Sequence, residues 1–352
     1  MPYQLCEKVR NLEPYEPISG EYKIRLDANE SYYAMPQELL DEMKDIIQQI
    51  NFNRYPDPYA VQLVKTFADF YDLDPNCVTA GNGSDELISV IMTNLLQKGS
   101  KVMTIEPDFS MYRFYATLCE NEVISAPKDE NLNINVDEVI RFANENQADM
   151  IIFSNPCNPT GQGVPYDDVR RLVEGVSALV VLDEAYMDFW DEPFLKNAAV
   201  YDNLIVLKTA SKCVGSAAIR LGFAVANQTI TNAIRAVKAP YNVNTVSQNI
   251  GTCIFSHKEL LKSRRLEIIA SKYRLYTDIK ALAEKYNAPM KIFESCTNFV
   301  YIQTDLAKSI FDFMLSNSIA IRCFGSTALR ITAGSSDENA EFLSILEKYF
   351  QN

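Results

Sequence analysis

Residues 211–222 carry a lysine and an arginine whose spacing could support covalent catalysis. Lys212 follows an apolar run at 204–207 and precedes several small residues, and Arg220 lies eight positions further along. A lysine amine can form a Schiff base with a carbonyl compound, and an arginine can clamp a phosphate group. A solvated lysine in a loop is the alternative, and this segment alone leaves both interpretations open.

A second candidate site follows the apolar run at 178–182, which ends in Asp183, with Tyr186 three residues later. A carboxylate aimed at a pyridine nitrogen keeps that nitrogen protonated, so the ring can accept electrons from a carbanion. Asp183 could instead bind a metal ion or cap a helix, because α/β folds often place Asp at the end of a strand.

Two further segments combine turn-forming and polar residues. The segment 155–161 contains two Asn-Pro pairs and a glycine, which predict a rigid turn, and its Asn158 could donate to a ring oxygen unless the turn is purely structural. In the segment 81–88, Ser84 is predicted as a helix N-cap, where free backbone amides bind anions. Glu86 replaces the third glycine of a dinucleotide-binding loop, which argues against a dehydrogenase.

The strands that must position these residues are short apolar runs, which alternate with segments of helical periodicity. Continuous runs occur at 102–105, 150–153, 178–182 and 204–207, as expected for strands covered by helices on both faces. They predict an α/β fold with a mostly parallel central sheet. Ligands bind at the carboxyl ends of such strands, so the polar residues after these runs should converge on one site.

The pattern predicts three regions along the chain. Residues 1–30 are rich in Pro, Tyr and Glu without a clear period, and we expect an N-terminal arm that packs on the small domain or on a partner subunit. The large domain is predicted over 31–260. Long helices and short strands then predict a smaller α+β domain over 261–352, completed by part of the arm.

Composition excludes several classes of function. The 352 residues carry a net charge of −13, which disfavours nucleic acid or an anionic membrane as partner. The chain lacks an apolar stretch typical of a signal peptide or membrane span, so we expect a cytoplasmic protein. Its eight cysteines form no C-x-x-C pair, and its single histidine, His257, is predicted at a solvated helix start. No metal site is therefore expected.

Seven segments in order resemble the fold-type I pyridoxal-phosphate (PLP) aminotransferases of class I/II, most closely the histidinol-phosphate aminotransferases. They are residues 26–30, 54–58, 81–88, 155–161, 183–186, 211–220 and 329–332. The resemblance spans nearly the whole chain and implies the PLP-dependent transferase fold. It also implies an amino donor and a 2-oxo acid as substrates, and a homodimer with shared active sites.

The resemblance implies a role for each matching residue. Lys212 would hold PLP as a Schiff base, Asp183 would pair with the pyridinium nitrogen, and Tyr186 would hydrogen-bond the ring hydroxyl oxygen; these three form the catalytic group. The other residues implied to bind the cofactor are Gly83, Ser84, Asp85, Phe109, Asn158, Ser211, Arg220 and, from the other subunit, Tyr55.

On the substrate side the resemblance implies Tyr15, Asn29, Arg322 and Arg330. Arg330 matches the arginine that takes a carboxylate, and Arg322 matches a second arginine typical of histidinol-phosphate enzymes. Two arginines near Tyr15 suit a phosphate monoester better than one carboxylate. The alternative is that Arg322 pairs with an acidic surface group. The implied reaction transfers an amine between L-histidinol phosphate and the 2-oxoglutarate/glutamate pair, in histidine biosynthesis.

Three features depart from the family pattern: residues 31–33 replace the usual Pro-Tyr-Gly, the loop between Arg322 and Arg330 is shorter, and Cys213 follows the lysine. Threonine-phosphate decarboxylases share the cofactor and the fold, so decarboxylation is one alternative, and aromatic- or aspartate-type aminotransferases are another. A non-catalytic sensor would require a DNA-binding module, and the N-terminal arm is too short for one.

Overall fold

The computed structural model describes residues 3–10 and 18–351. Within them the strands form two sheets. In chain order the strands are β1 (Ile24–Leu26), β2 (Val78–Gly81), β3 (Lys101–Glu106), β4 (Glu122–Pro127), β5 (Met150–Ser154), β6 (Leu179–Asp183), β7 (Leu204–Thr209), β8 (Gly222–Ala226), β9 (Lys291–Phe293), β10 (Phe299–Gln303), β11 (Ile319–Phe324) and β12 (Ala328–Thr332).

Helices cover both sheets. In chain order they are α1 (Glu7–Arg10), α2 (Gln37–Gln48), α3 (Val61–Tyr71), α4 (Ser84–Asn94), α5 (Met111–Leu118), α6 (Val136–Asn146), α7 (Tyr166–Gly175), α8 (Gln228–Val237), α9 (Thr245–Ser256), α10 (Lys258–Lys285), α11 (Ala307–Ser316) and α12 (Ser336–Gln351). Short 3₁₀ helices occupy Pro75–Cys77, Met187–Phe189, Leu195–Ala199 and Ala217–Ile219. Within the described ranges, none of the helices is long and apolar enough to cross a membrane.

The larger sheet has the order β2-β8-β7-β6-β5-β3-β4 and is parallel except for β8, which pairs antiparallel with both of its neighbours. The four predicted runs correspond to β3, β5, β6 and β7, so the predicted α/β fold with a mostly parallel sheet is confirmed. Every residue of β5 and β7 is buried. Helices on both faces explain why these strands are continuously apolar instead of alternating.

The smaller sheet has the order β1-β11-β12-β10-β9. Its first strand comes from the N-terminal part of the chain, where Ile24 pairs with Ile319 in parallel register. Its apolar face packs against α10, α11 and α12 in a separate core that includes Leu275, Ile310 and Phe342. The predicted domain boundaries at 30 and 260 stay predictions, and the second falls in the first turn of α10.

Two apolar cores hold the large sheet between its helical layers. On one face, Phe67 stacks on Phe223 with ring centroids 3.8 Å apart, and Phe255 meets both rings edge-on. On the other face, α4 and α5 pack Leu87 and Tyr112 against the strands. Burial of such side chains contributes roughly 1.5–3 kcal/mol each. These layers give the strand ends a fixed frame.

Candidate active site

The loops after the parallel strands meet at one edge of the large sheet. Gly222, the first residue of β8, pairs with Gly81 on one side and with Thr209 on the other. A Cβ on Gly222 would lie 2.3 Å from the backbone nitrogen of Ser84. The start of α4 therefore reaches the end of β7 only because glycine stands at position 222.

The turn between β2 and α4 differs in one detail from the prediction. The N-cap of α4 is Gly83, and Ser84 is the first helical residue, so the prediction of Ser84 as N-cap is wrong. Gly83 has a φ of +88°, a conformation that serine adopts only at a cost. The amides of the first turn, including that of Ser84, have no acceptor within the helix and can bind an anion.

Arg220 lies beside this turn. Its Nη1 is 3.4 Å from the hydroxyl oxygen of Ser211, and its Nη2 is 3.4 Å from a carboxylate oxygen of Asp85. A Cβ on Gly83 would come within 2.7 Å of the same guanidinium. Gly83, Ser84, Asp85, Ser211 and Arg220 thus form one half-exposed cup that combines a guanidinium, a hydroxyl and free amides, which are the groups that bind a phosphate.

Asp183 ends β6 as a buried carboxylate that accepts two hydrogen bonds. Its Oδ1 accepts from the backbone N–H of Ala185 at 3.0 Å, and its Oδ2 accepts from the hydroxyl of Tyr112 at 2.8 Å. Burial nevertheless raises the pKa of Asp183 to about 6. A buried carboxylate of this kind is stabilised by a cationic partner, and a pyridinium nitrogen supplies one.

Lys212 lies between the large sheet and the segment that follows β1. Its Nζ donates to the backbone carbonyl of Ala28 at 3.0 Å and lies 5.8 Å from the ring centroid of Tyr186. The hydroxyl oxygen of Tyr186 accepts from the side-chain amide of Asn29 at 2.8 Å. The lysine amine, the tyrosine and the predicted substrate residue Asn29 therefore face the same cleft.

Arg330, on β12, connects the small sheet to this cleft. One of its guanidinium nitrogens donates to the side-chain oxygen of Asn158, and the other donates to the backbone carbonyl of Asp27. The guanidinium also lies over the rings of Phe299 and Phe324, at 5.4 and 5.6 Å from the centroids. These contacts hold a buried cation beside Asn158 and the segment that follows β1, where it can receive an anionic group.

Arg322 is the cross-strand neighbour of Arg330 in the antiparallel pair of β11 and β12. Directly opposite residues in such a pair have their side chains on the same face of the sheet. Tyr301 of β10 is the neighbour of Arg330 on the other side. The structure thus places both predicted arginines on one face, with Arg322 partly exposed and Arg330 buried.

Phe109 and Asn158 belong to a polar network that motif reasoning missed. Asp108 accepts hydrogen bonds from the backbone N–H groups of Ser154 and Phe109, at 3.0 and 2.7 Å. The hydroxyl of Ser154 accepts from the backbone N–H of Asn158 at 3.0 Å. Burial raises the pKa of Asp108. Asp108 lies two residues after β3, and this position was the available signal, since the polar residues that follow the apolar runs are predicted to converge on one site.

Tyr112 was also missed, although it contacts Asp183 directly and its ring meets Phe109 edge-on at 5.4 Å. Tyr55 and Tyr15 are also predicted as site residues. Tyr55 is 83% exposed and stacks on Tyr241 at the surface. Tyr15 lies outside the described residues.

A separate group of polar side chains joins α2 to the end of α9. His257 lies at the junction of α9 and α10, half-exposed, and its Nε2 is 2.8 Å from a carboxylate oxygen of Glu42. The buried thiol of Cys253 belongs to the same group. The atoms of the three side chains that could bind a metal ion all lie within 4.8 Å of one another. The hydrogen bonds from His257 and Cys253 lower the pKa of Glu42.

Comparison with known proteins identifies the family. The family model described as aminotransferase class I and II matches residues 21–346. The chain belongs to the class I and II aminotransferases. It is also 38% identical over 343 residues to a histidinol-phosphate aminotransferase of Clostridium novyi, which covers 96% of this chain and 95% of the relative. A histidinol-phosphate aminotransferase of Pyrococcus furiosus is 32% identical over 351 residues, covering 99% of this aminotransferase and 98% of the relative.

Solved structures show the same fold. The histidinol-phosphate aminotransferase of Sinorhizobium meliloti in complex with PLP has a TM-score of 0.86 at 21% identity, covering 94% of this chain and 92% of that one. The L-threonine-O-3-phosphate decarboxylase of Porphyromonas gingivalis has a TM-score of 0.80 at 21% identity, covering 94% and 100%. The predicted PLP-dependent transferase fold is therefore confirmed, and fold alone does not separate the two reactions.

The aminotransferase is an enzyme of a PLP-dependent family, and its cleft residues fit that cofactor. A lysine amine, a buried carboxylate and an anion-binding cup surround one cleft, as a pyridine aldehyde bearing a phosphate requires. The tight approach of Ser84 to Gly222 leaves the amides of α4 near the cup. The individual contacts to the cofactor stay predictions.

Proposed function

We propose that this aminotransferase acts on L-histidinol phosphate, with 2-oxoglutarate and glutamate as the other pair. The observation that carries the proposal is the placement of Arg322 directly opposite Arg330 on one face of the small sheet. Guanidinium groups on one face of the sheet offer charge-assisted hydrogen bonds to the anionic groups of the substrates. The names of the relatives at 31–38% identity support the same substrate.

The proposed roles follow from the contacts around the cleft. Bound PLP supplies an electron sink for the carbanion formed at the substrate Cα. We assign Lys212 to the covalent attachment and then, once its amine is freed, to moving the proton at Cα. Asp183 holds the ring nitrogen, Tyr186 and Asn158 orient the ring oxygen, and the cup at Ser211 and Arg220 holds the phosphate.

The two arginines receive different groups in this proposal. Arg330 is buried and fixed by Asn158 and the Asp27 carbonyl, so it suits the planar carboxylate of glutamate. Arg322 is partly exposed and suits the phosphate of the amino-alcohol substrate. Because glutamate and the phosphorylated amine bind in turn at one cleft, the two groups need not be held at once.

A half-reaction screen tests the proposed function against decarboxylation. Glutamate added to the holoenzyme should convert the cofactor to pyridoxamine phosphate, followed by absorbance, and L-histidinol phosphate should do the same more efficiently than L-histidinol. The control is the same screen with phosphothreonine, with released carbon dioxide as readout. Carbon dioxide release without any conversion by glutamate would establish a decarboxylase and contradict the proposal.

The homodimer with shared active sites is proposed from the surface around Tyr55. Four exposed apolar side chains lie close together in the chain, at Phe52, Tyr55, Tyr59 and Val61. Tyr241, which is also exposed, stacks on Tyr55. A contiguous exposed apolar patch is typical of an interface. We infer that a second copy covers it and that Tyr55 contacts the phosphate held by Ser211 and Arg220 of that copy.

Subunit mixing tests the shared site. Lys212→Ala and Tyr55→Phe proteins are exchanged into verified heterodimers, in which one site combines an intact lysine with an intact Tyr55 and the other carries both defects. Activity per intact lysine, measured at limiting PLP, should exceed that of the Tyr55→Phe homodimer by about tenfold, because a hydrogen bond to a phosphate is restored. Equal activity per intact lysine in the heterodimer and in the Tyr55→Phe homodimer would refute sharing.

A cytoplasmic location stays a prediction from the sequence.

A further inference from the structure

The hydroxyl of Tyr112 makes a buried contact with the carboxylate that faces the proposed cofactor. Tyr112 lies on α5, is 1% exposed, and donates to Asp183 Oδ2 at 2.8 Å across 71 residues of sequence. Burial and nearby carboxylates raise the pKa of Tyr112 well above its ordinary value. The hydroxyl therefore keeps its proton and acts as a donor to Asp183.

Some of the groups around Asp183 disfavour its ionised form, and others favour it. Burial is the largest influence and raises its pKa, and the carboxylates of Asp108 and Asp85 act in the same direction. The hydrogen bonds from Tyr112 and from the backbone N–H of Ala185 lower its pKa. Since Ala185 can satisfy only Oδ1, the tyrosine is the side chain in this set that stabilises the carboxylate at Oδ2.

We propose that Tyr112 is a positioning residue that keeps Asp183 oriented and ionised, so that the proton shared with the cofactor's ring nitrogen stays on that nitrogen. The inference rests on the proposed function, because it assumes that Asp183 is the partner of the ring nitrogen. The acid–pyridine pair and the carboxylate–pyridinium pair contain the same number of protons. Any group that stabilises the carboxylate therefore moves the proton to the ring.

Tyr112 also packs against a second residue that is predicted to contact the cofactor. Phe109, the residue predicted to stack on the ring, meets the Tyr112 ring edge-on. The Phe109 backbone is held by Asp108, which also binds Ser154 at the end of β5. Tyr112, on α5, thus contacts both the carboxylate that would face the ring nitrogen and the aromatic side chain that would cover the ring face.

The test replaces Tyr112 with phenylalanine, which keeps the packed ring and removes only the hydroxyl. With PLP labelled with ¹⁵N in the ring, the nitrogen chemical shift should move from the pyridinium value towards the pyridine value. The dissociation constant for PLP should rise about tenfold, as expected when a hydrogen bond to a charged group is lost. The kcat for glutamate should fall while its KM changes little.

Two comparisons separate this role from a loss of packing. Tyr166→Phe removes a hydroxyl that bonds Asn197 away from the cleft, and it should leave the ¹⁵N shift and the PLP affinity at wild-type values. 3-Fluorotyrosine at position 112 alone keeps the shape and strengthens the donor, so its ¹⁵N shift should not move towards pyridine. An unchanged shift and affinity in Tyr112→Phe would overturn the inference.

A double-mutant cycle with Asp183→Asn distinguishes failure of the inference from failure of the proposed function. Asparagine has no negative charge for Tyr112 to stabilise, so Tyr112→Phe should have little further effect on PLP affinity in that background. If Tyr112→Phe costs the same in both backgrounds, the tyrosine acts through packing and the inference is wrong. If Asp183→Asn itself leaves PLP affinity and the ¹⁵N shift unchanged, the assignment of Asp183 to the ring nitrogen is wrong.

Discussion

Lys212→Ala is expected to lower the rate of amine transfer by about 10⁴-fold or more, because it removes both the covalent attachment point and the base that moves the proton at Cα. The side chain approaches the Ala28 carbonyl and the Tyr186 ring, and its loss leaves the phosphate cup intact. PLP should therefore still bind, without a covalent link. The rate of the half-reaction with glutamate, followed by absorbance in single-turnover experiments, measures the effect.

Borohydride reduction followed by peptide mapping locates the covalent link directly. The wild-type adduct should lie on Lys212 and be absent from Lys208, which is buried four residues earlier and paired with Asp188 at 2.8 Å. Lys212→Arg is the matched control, since it keeps the charge but forms no Schiff base under these conditions. Added primary amines should partly restore turnover to Lys212→Ala. An adduct on a different lysine would contradict the assignment.

The residues nearest the proposed chemistry could be predicted because each follows a strand that the sequence marks clearly. Asp183 and Lys212 come after the continuous apolar runs of β6 and β7, and parallel strands bring their carboxyl ends to one edge. Their local signals suffice because burial on both faces makes such runs distinctive. Resemblance to a known family then supplied roles that neither spacing nor periodicity could give.

The supporting contacts could not be predicted, because they join residues that are distant in sequence and ordinary in type. Tyr112 lies in an apolar helical segment, a position typical of a core residue, yet its hydroxyl donates a hydrogen bond to Asp183. The contact of Arg330 with the Asp27 carbonyl spans 303 residues. Such pairings depend on how helices pack on the large sheet and how the two sheets meet, and local sequence patterns carry no record of that packing.

The error at the start of α4 has a local cause. Serine is favoured at N-caps because its side chain accepts from the first turn, and the motif offered both Gly83 and Ser84. Gly83 packs closely against Gly222 and adopts a φ of +88°, which favours glycine over serine at this position. The cap position therefore shifted by one residue, which placed the amide of Ser84 in the anion-binding turn.

Arg322→Ala is expected to lower kcat/KM for L-histidinol phosphate by about 10- to 150-fold, because hydrogen bonds from a guanidinium to a phosphate contribute roughly 1.5–3 kcal/mol. L-Histidinol and glutamate should change by no more than about twofold. Arg322→Lys should recover part of the loss, since it keeps the charge without the planar fork.

Arg141→Ala is the charge-matched control, because Arg141 lies exposed on α6 and pairs with Glu145. It should leave the ratio of kcat/KM between phosphorylated and unphosphorylated amine at the wild-type value. Arg330→Ala should lower the rate with glutamate as well, since its carboxylate needs the buried guanidinium. Equal losses for both amines in Arg322→Ala would show that Arg322 supports the sheet rather than the phosphate. The substrate would then have to be sought among unphosphorylated amino acids, whose carboxylate Arg330 alone can bind.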